Sequence, residues 1–436
     1  MTSDRRDLAR DAAIIFVLAL GVRLALALSL SNNDTEFWDQ SYWEYAKNFS
    51  EGRGFWMPNP YSAAVNLPRV YAFRPPLFPF AWGCVFHLTH GAYTPVRVAF
   101  AFLGAAACAI AFLAGLELTG KRTVAALAGI LCAFYPPLVW HSVQLMTEPL
   151  FIPLSAGCIY AAFLFRRTGR LRWAALAGVA AGLAALSRSM LIGFLPLLTI
   201  WLWWAGRRTG RAWSGAALFC AAVLAMLAPW IIRNAILFHE FVPATTDAGH
   251  GFYAANNERS LDAPRGFAMP DDWASVMLKP GETSIGEVEA SRRLMHAAGR
   301  CLLSHPGVAL RLMARRFATL WGFYPNPEFI AHRKVLVYAL SYIPLFPFIV
   351  FGLWRAHRRR EAERMDLLLV EGLILYTTAI HTVFLAMLRY REPLMPFLLV
   401  FAAMGILRVV EGLRRKYGRK DVDVSGKYPP GTGAPA

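Results

Sequence analysis

The sequence predicts an all-α polytopic membrane protein with about ten transmembrane helices and further helices along the outer face. Three observations carry that reading. Aliphatic, aromatic and cysteine residues make up 56% of the 436 residues, and the mean hydropathy is +0.39, too apolar for a soluble chain with one core and polar loops. The apolar residues gather into runs of roughly 15 to 23, the length that spans a bilayer. The basic residues behind the formal charge of +17 stand in short clusters between those runs, a pattern of topology signals rather than of nucleic-acid binding. Six cysteines, mostly inside apolar runs and without CxxC spacing, argue against both a disulfide framework and a zinc site.

Charge sets the direction of each span. The first, about Ala12 to Leu30, follows Arg5, Arg6 and Arg10 and has no small-residue cleavage site, so it reads as an uncleaved span with residues 1–11 in the cytoplasm. A first outer loop, 31–95, opens with Asp34, Glu36 and Asp39. Trp38, Tyr42, Tyr45, Ala46 and Phe49 then recur at steps of three and four, making one aromatic face of a short helix that Gly52 and Gly54 end. Such a helix is expected in the lipid–water interface, its aromatics acting as anchors. Phe73-Arg74-Pro75-Pro76 closes the insert, and the paired prolines exclude a continuous helix and hold Arg74 near the same surface. The apolar run Leu77 to His90 is short; only if it stays in the interface do all later basic clusters fall inside.

The spans then alternate: 96–118, 124–140, 150–165, 173–186, 191–204 and 216–230. A long outer loop, 234–334, ends in LLSHPGVALRLMARRFATLWGF, whose mixed basic and apolar pattern reads as a second interfacial helix. Spans 335–354, 367–388 and 394–410 follow, giving one transmembrane unit over 12–412. Residues 413–436, charged and then rich in Pro and Gly, read as a disordered cytoplasmic tail.

Under this topology Asp34, Glu36, Asp39, Arg74, Glu148, Arg188, Arg233, Asn234, Arg389 and Arg391 converge on the outer face from distant parts of the chain. Each sits at a span end, sparing it the mid-bilayer cost of about 2.5–3.5 kcal/mol. Arginines offer a fixed fork of donors for phosphate oxygens. A carboxylate can take a hydroxyl proton as bonding develops, if the departing phosphate is held by cations. No Walker A or strand-borne GxGxxG motif indicates a nucleotide donor. His87, His90, His141 and His250 are scattered singly, so no metal site is indicated. Each residue also has a structural alternative: a helix cap for Asp39 and Glu148, a snorkelling anchor for each arginine.

The ordered set Asp39…Tyr42…Ala46…Gly52-Arg53-Gly54-Phe55, Arg74-Pro75-Pro76-Leu77, Tyr135-Pro136, Thr147-Glu148-Pro149-Leu150, Gly182-Leu183-Ala184…Ser187-Arg188, Pro229-Trp230…Arg233-Asn234 and Gly249…Phe252-Tyr253…Asn256-Asn257 resembles the GT-C superfamily of membrane glycosyltransferases. Within it the chain is most similar to the bacterial branch related to protein O-mannosyltransferases and lipid A aminoarabinose transferases. The resemblance covers about residues 12 to 410. It implies a multi-pass protein of the bacterial inner membrane with a site facing the periplasm. The implied donor is a sugar on a polyprenyl phosphate, transferred with inversion to a glycan, lipid or protein acceptor. It places the base at Asp39, with Asp34 or Glu36 as alternatives, and a second acid at Glu148. Arg74, Arg188, Arg233, Arg389 and Arg391 are then candidates for the phosphate, and His250 and Asn256 for shaping the donor site. No cofactor is implied, a divalent metal being allowed but not signalled. Two other classes fit the composition: a lipid or glycolipid transporter, and an inactive scaffold relative.

Overall fold

The computed structural model describes residues 2–31, 40–59, 65–263, 266–270, 273–325, 332–358 and 364–417. Asp34, Glu36, Asp39 and residues 418–436 of the expected 413–436 tail lie outside them, while residues 413–417, expected to be disordered, continue the last helix. Among the described residues almost all regular structure is helical, the exception being a two-residue antiparallel ribbon pairing Met57–Pro58 with Arg69–Val70.

Helix α1 (Thr2–Ser29) is followed by α2 (Gln40–Ser50), α3 (Leu77–Thr89), α4 (Tyr93–Thr119), α5 (Arg122–Phe134), α6 (Pro136–His141), α7 (Glu148–Thr168) and α8 (Leu171–Ser187). A 3-10 turn (Ser189–Phe194) leads into α9 (Leu195–Gly206), then α10 (Ala212–Phe238). The long loop holds α11 (Ala248–Ala255), α12 (Trp273–Met277), α13 (Glu287–Ser304) and α14 (Pro306–Trp321). The chain finishes with α15 (His332–Tyr342), α16 (Phe346–His357), α17 (Arg364–Val383), a 3-10 turn (Leu388–Leu394) and α18 (Met395–Tyr417).

Eight helical stretches are long and apolar enough to cross a membrane. The shorter apolar helix α8, and α5 continued by α6, stand where the sequence placed spans, which brings the number to the expected ten. The protein is an integral, multi-pass membrane protein. The third short one, α3, has 13 residues and is about 20 Å long, well under the bilayer core. It stays at one end of the bundle. Arg97 of α4 donates to the Leu30 and Ser31 carbonyls at 3.1 and 3.0 Å, so the chain leaves α1 and enters α4 at the same end. At the opposite end Arg122 pairs with Asp11 at 2.5 Å, Arg167 with Glu117 at 2.7 Å, and Arg166 with Asp366 through two bonds of 2.6 Å.

Small residues set the packing, as is usual where lipid removes the hydrophobic drive between helices. A Cβ on Gly352 of α16 would overlap the Phe401 carbonyl of α18, and one on Gly405 of α18 would overlap the Phe348 carbonyl. The two backbones therefore touch.

Two expectations need correction. Span 124–140 is broken: α5 stops at Phe134 because Pro136 and Pro137 carry no N–H for the carbonyls four residues back. Those carbonyls belong to Cys132 and Ala133, and Arg23 of α1, only 1% exposed, donates to both at 3.4 and 3.1 Å. A buried arginine, passed over in the sequence, thus replaces the two missing donors. The aromatic face of α2 is the second. It packs on protein rather than serving as a lipid anchor: Tyr45 and Ala46 are fully buried, and Tyr42 meets Phe78 edge-on at 5.2 Å. Helical period alone does not say whether an aromatic face meets lipid or protein. The helix ends as expected, with Gly52 and Gly54 at φ of +72° and +92°, where a side chain is strained.

Candidate active site

The site is built where four span ends meet. Glu148 is the first residue of α7 and is fully buried, a position where the helix dipole favours a carboxylate. Arg188 follows α8 in an extended conformation, which turns its guanidinium back across α7. Its Nη2 donates to Glu148 Oε1 at 2.5 Å and its Nε to Thr147 Oγ1 at 2.7 Å. Arg389, in the 3-10 turn before α18, brings Nη1 to 3.9 Å from the same Oε1. Phe151 and Tyr390 flank the Arg188 guanidinium at 5.4 and 5.2 Å. Two buried donors, Arg188 Nη1 and Arg389 Nε, have no hydrogen-bond partner among the described residues.

The 3-10 turn distributes its charges in different directions. Arg391 points away from Glu148, donating to the Leu320 and Gly322 carbonyls at 3.3 and 2.9 Å and lying 3.6 Å over the Tyr342 ring. It caps α14. Glu392 meets His141 Nδ1 at 2.5 Å, and His141 Nε2 lies 3.2 Å from the Tyr338 hydroxyl. A cavity of about 10 Å³ between Arg23 and Glu148 has room for about one water, so the inner side of Glu148 is closed.

A second cluster lies on the first loop. Arg74 Nη1 meets Asp247 Oδ2 at 2.5 Å, and its Nε donates to Ser41 Oγ at 2.9 Å in the first turn of α2. Thr245 Oγ1 holds the other Asp247 oxygen at 2.7 Å. The Tyr42 ring lies 5.5 Å from the Arg74 guanidinium. His250 stands edge-on to Phe73 at 5.1 Å. Burial first, and then the Arg74 charge, lower its pKa from the usual 6.5 to about 4.

Other expected residues have scaffolding contacts. Arg233 donates to the Tyr71 and Phe55 carbonyls and to Asn234 Oδ1, at 3.1, 3.3 and 2.8 Å, pinning the first loop to α10. Asn256 is fully buried and, with Arg316 of α14, donates to the Val383 carbonyl at 3.1 and 2.9 Å. That pair caps α17, just ahead of the turn that carries Arg389. Burial lowers the Arg316 pKa to about 10. The arrangement therefore gathers Glu148, Arg188 and Arg389 at one point, sets Arg74 beside Tyr42 and His250 beside Phe73, and turns Arg233, Arg391 and Asn256 to backbone carbonyls. Asp247, His141 and Glu392 were not anticipated. A signal for Asp247 existed in Thr245-Thr246-Asp247-Ala248-Gly249, a helix-cap pattern that says nothing about a distant arginine. Among the described residues no three His, Cys, Asp or Glu side chains assemble as metal ligands.

Comparison with solved structures gives the fold. The archaeal oligosaccharyltransferase AglB from Archaeoglobus fulgidus, in complex with an inhibitory peptide and a dolichol-phosphate, superposes on 98% of this chain with a TM-score of 0.56 and 14% identity. The chain has the GT-C fold. The apo oligosaccharyltransferase of the same organism gives a TM-score of 0.55 at 12% identity over 96% of the chain. ArnT from Cupriavidus metallidurans bound to undecaprenyl phosphate gives 0.41 at 14% identity, over 96% of this chain and 81% of its own. The chain matches 53% and 52% of the two archaeal chains, so it spans about half their length. In sequence, residues 73–232 match the family described as dolichyl-phosphate-mannose-protein mannosyltransferase. No curated protein matches the chain.

Proposed function

We propose that this GT-C protein transfers a glycosyl group from a polyprenyl-phosphate-linked sugar to an acceptor at the membrane end that carries the first and long loops, which the charge bias places outside the cytoplasm. The observation that carries this reading is the pair of buried donors, Arg188 Nη1 and Arg389 Nε, beside a carboxylate that already neutralises part of their charge. Leaving such donors unmet costs about 1–3 kcal/mol each, and a phosphate oxygen meets both with charge-assisted bonds. The dolichol-phosphate in the AglB complex and the dolichyl-phosphate-mannose of the matched family support the same donor chemistry.

In the proposed reaction the acceptor hydroxyl oxygen bonds to the anomeric carbon as the carbon–oxygen bond to phosphate breaks, giving inversion. The phosphate leaves with the electron pair and is stabilised by Arg188 and Arg389. The hydroxyl proton passes to a first-loop carboxylate, Asp39 by its place in the motif, with Asp34 and Glu36 as alternatives. Glu148 is a positioning residue that aims both guanidinium groups. Arg74, paired with Asp247 and bonded to Ser41, holds the start of α2, the helix that follows the base in sequence.

The test is transfer by purified full-length protein from a radiolabelled undecaprenyl-phosphate sugar to envelope lipid and protein acceptors. Arg188→Gln and Arg389→Gln are each expected to lower turnover at least 100-fold, and Asp39→Asn at least as much, with donor binding retained in the last. Full activity in both arginine variants would overturn the phosphate assignment. Movement of intact labelled lipid between leaflets, without a new glycosidic bond, would favour transport instead.

A further inference from the structure

Arg188 and Arg389 reach Glu148 in different ways. Arg188 is fixed by bonds of its own, to Glu148 Oε1 at 2.5 Å and to Thr147 Oγ1 at 2.7 Å. Arg389 Nη1 stops 3.9 Å from Oε1, beyond hydrogen-bond distance, and its Nε has no partner among the described residues. The place of the Arg389 guanidinium is therefore set by the 3-10 turn that carries it, Leu388–Leu394, and by whatever holds that turn.

Tyr390 of the turn stacks on His381 of α17 at 4.4 Å, and Arg391 is spent on the carbonyls at the end of α14. Glu392 reaches the other way. Its Oε2 meets His141 Nδ1 at 2.5 Å, and His141 opens the run 141–148, buried throughout, that ends in Glu148. Glu392 Oε1 has no partner among the described residues, so His141 is what satisfies this buried carboxylate there. The Tyr338 hydroxyl of α15, 3.2 Å from Nε2, holds the imidazole from its other side. The turn and the run 141–148 thus meet at two points: a short buried bond at Glu392 and His141, and the long approach of Arg389 to Glu148. The short bond sets the long one.

From this we propose that His141 and Glu392 are positioning residues for the transfer, holding the Arg389 guanidinium where the donor phosphate binds, while Arg188 is held without them. This rests on the phosphate assignment made above for the two arginines. Loss of the pair then acts through Arg389 and vanishes once Arg389 is gone, whereas a pair that merely stabilised the fold would weaken every background by the same factor.

The experiment measures the affinity of purified full-length protein in detergent for undecaprenyl phosphate, by native mass spectrometry, with melting temperatures alongside. His141→Leu combined with Glu392→Leu removes the directional bond without leaving a buried charge unpaired, an exchange that cores tolerate. It is expected to weaken binding about tenfold in the wild-type and Arg188→Gln backgrounds, and by less than about twofold in Arg389→Gln. His141→Asn, whose amide N–H stands near the Nδ1 position, is expected to stay within about threefold of wild type. Should the double Leu variant not fold, Glu392→Gln keeps the shape and carries the same comparison: about threefold weaker in the first two backgrounds and unchanged in Arg389→Gln. Equal loss in both arginine backgrounds, no loss in any, or a His141→Asn variant as weak as the double Leu variant overturns the positioning role. An Arg389→Gln protein that binds as tightly as wild type overturns the phosphate assignment itself, and this inference with it, before the pair is altered.

Discussion

His250 shows how one side chain reports on its cluster. It is buried beside Phe73 and next to Arg74, and its pKa is lowered to about 4. Above pH ~6.5 the imidazole is neutral both folded and unfolded. Between pH ~6.5 and ~4 the unfolded chain takes up a proton that the folded one refuses, so stability falls with acid at up to ~1.4 kcal/mol per pH unit and levels off below ~4. Thermal unfolding in detergent at pH 7 and pH 4.5 checks this: His250→Gln is expected to flatten the difference by several degrees, and an unchanged difference would place the acid sensitivity elsewhere. The same residue scale separates the arginines. Arg188 and Arg391 are alike in sequence terms, each a basic residue at a span end, but one meets a buried carboxylate and the other two carbonyls at the end of α14. No periodicity or composition distinguishes those fates.

At the scale of elements, Arg23 and the broken α5–α6 pair form one unit. The guanidinium replaces the donors that Pro136 and Pro137 lack. Arg23→Met should destabilise the protein by about 2–4 kcal/mol through two unmet carbonyls. In a background of Pro136→Ala and Pro137→Ala, which restores both N–H groups, the same change should cost at least ~1 kcal/mol less. Additive costs in that cycle would sink the pairing. The α16–α18 contact makes a second test. Gly352→Ala pushes a Cβ onto the Phe401 carbonyl, whereas Gly372 in α17 has nothing within 4 Å. The first is expected to cost about 1–3 kcal/mol and the second to be neutral or stabilising, read as melting temperatures in the same detergent.

For the whole molecule, Glu287 of α13 holds the first loop and the long loop together. Its carboxylate accepts from the Tyr71 and Ala72 N–H groups at 2.7 and 2.9 Å and from the Thr246 hydroxyl at 2.5 Å. Glu287→Ala is expected to speed limited proteolysis of the long loop about tenfold while leaving the spanning helices resistant. Equal cleavage would show that the loops are joined by other contacts. The spans and the end each residue occupies were legible in the sequence because run length and charge bias are one-dimensional signals. That is why the sequence alone sets Glu148, Arg188 and Arg389 at the same end of the bundle. Partners remote in sequence were not legible: Arg74 with Asp247, Arg23 with two carbonyls, and Glu392 with His141 are set by helix packing rather than by local pattern. The first-loop acids Asp34, Glu36 and Asp39 lie outside the described residues, and the base rests on motif position.

Arg23 also bears on how the chain is made. Helix α1 is synthesised first, and the carbonyl that receives its guanidinium lies 110 residues later. Until α5 emerges, an arginine about two turns inside the first hydrophobic segment faces lipid at a cost of a few kcal/mol. The nascent α1 is then a reluctant anchor, one that the insertion machinery must shelter until its partner helix arrives. Its donors are met only when α1 and α5 lie together, so the seating of α1 is already a tertiary event.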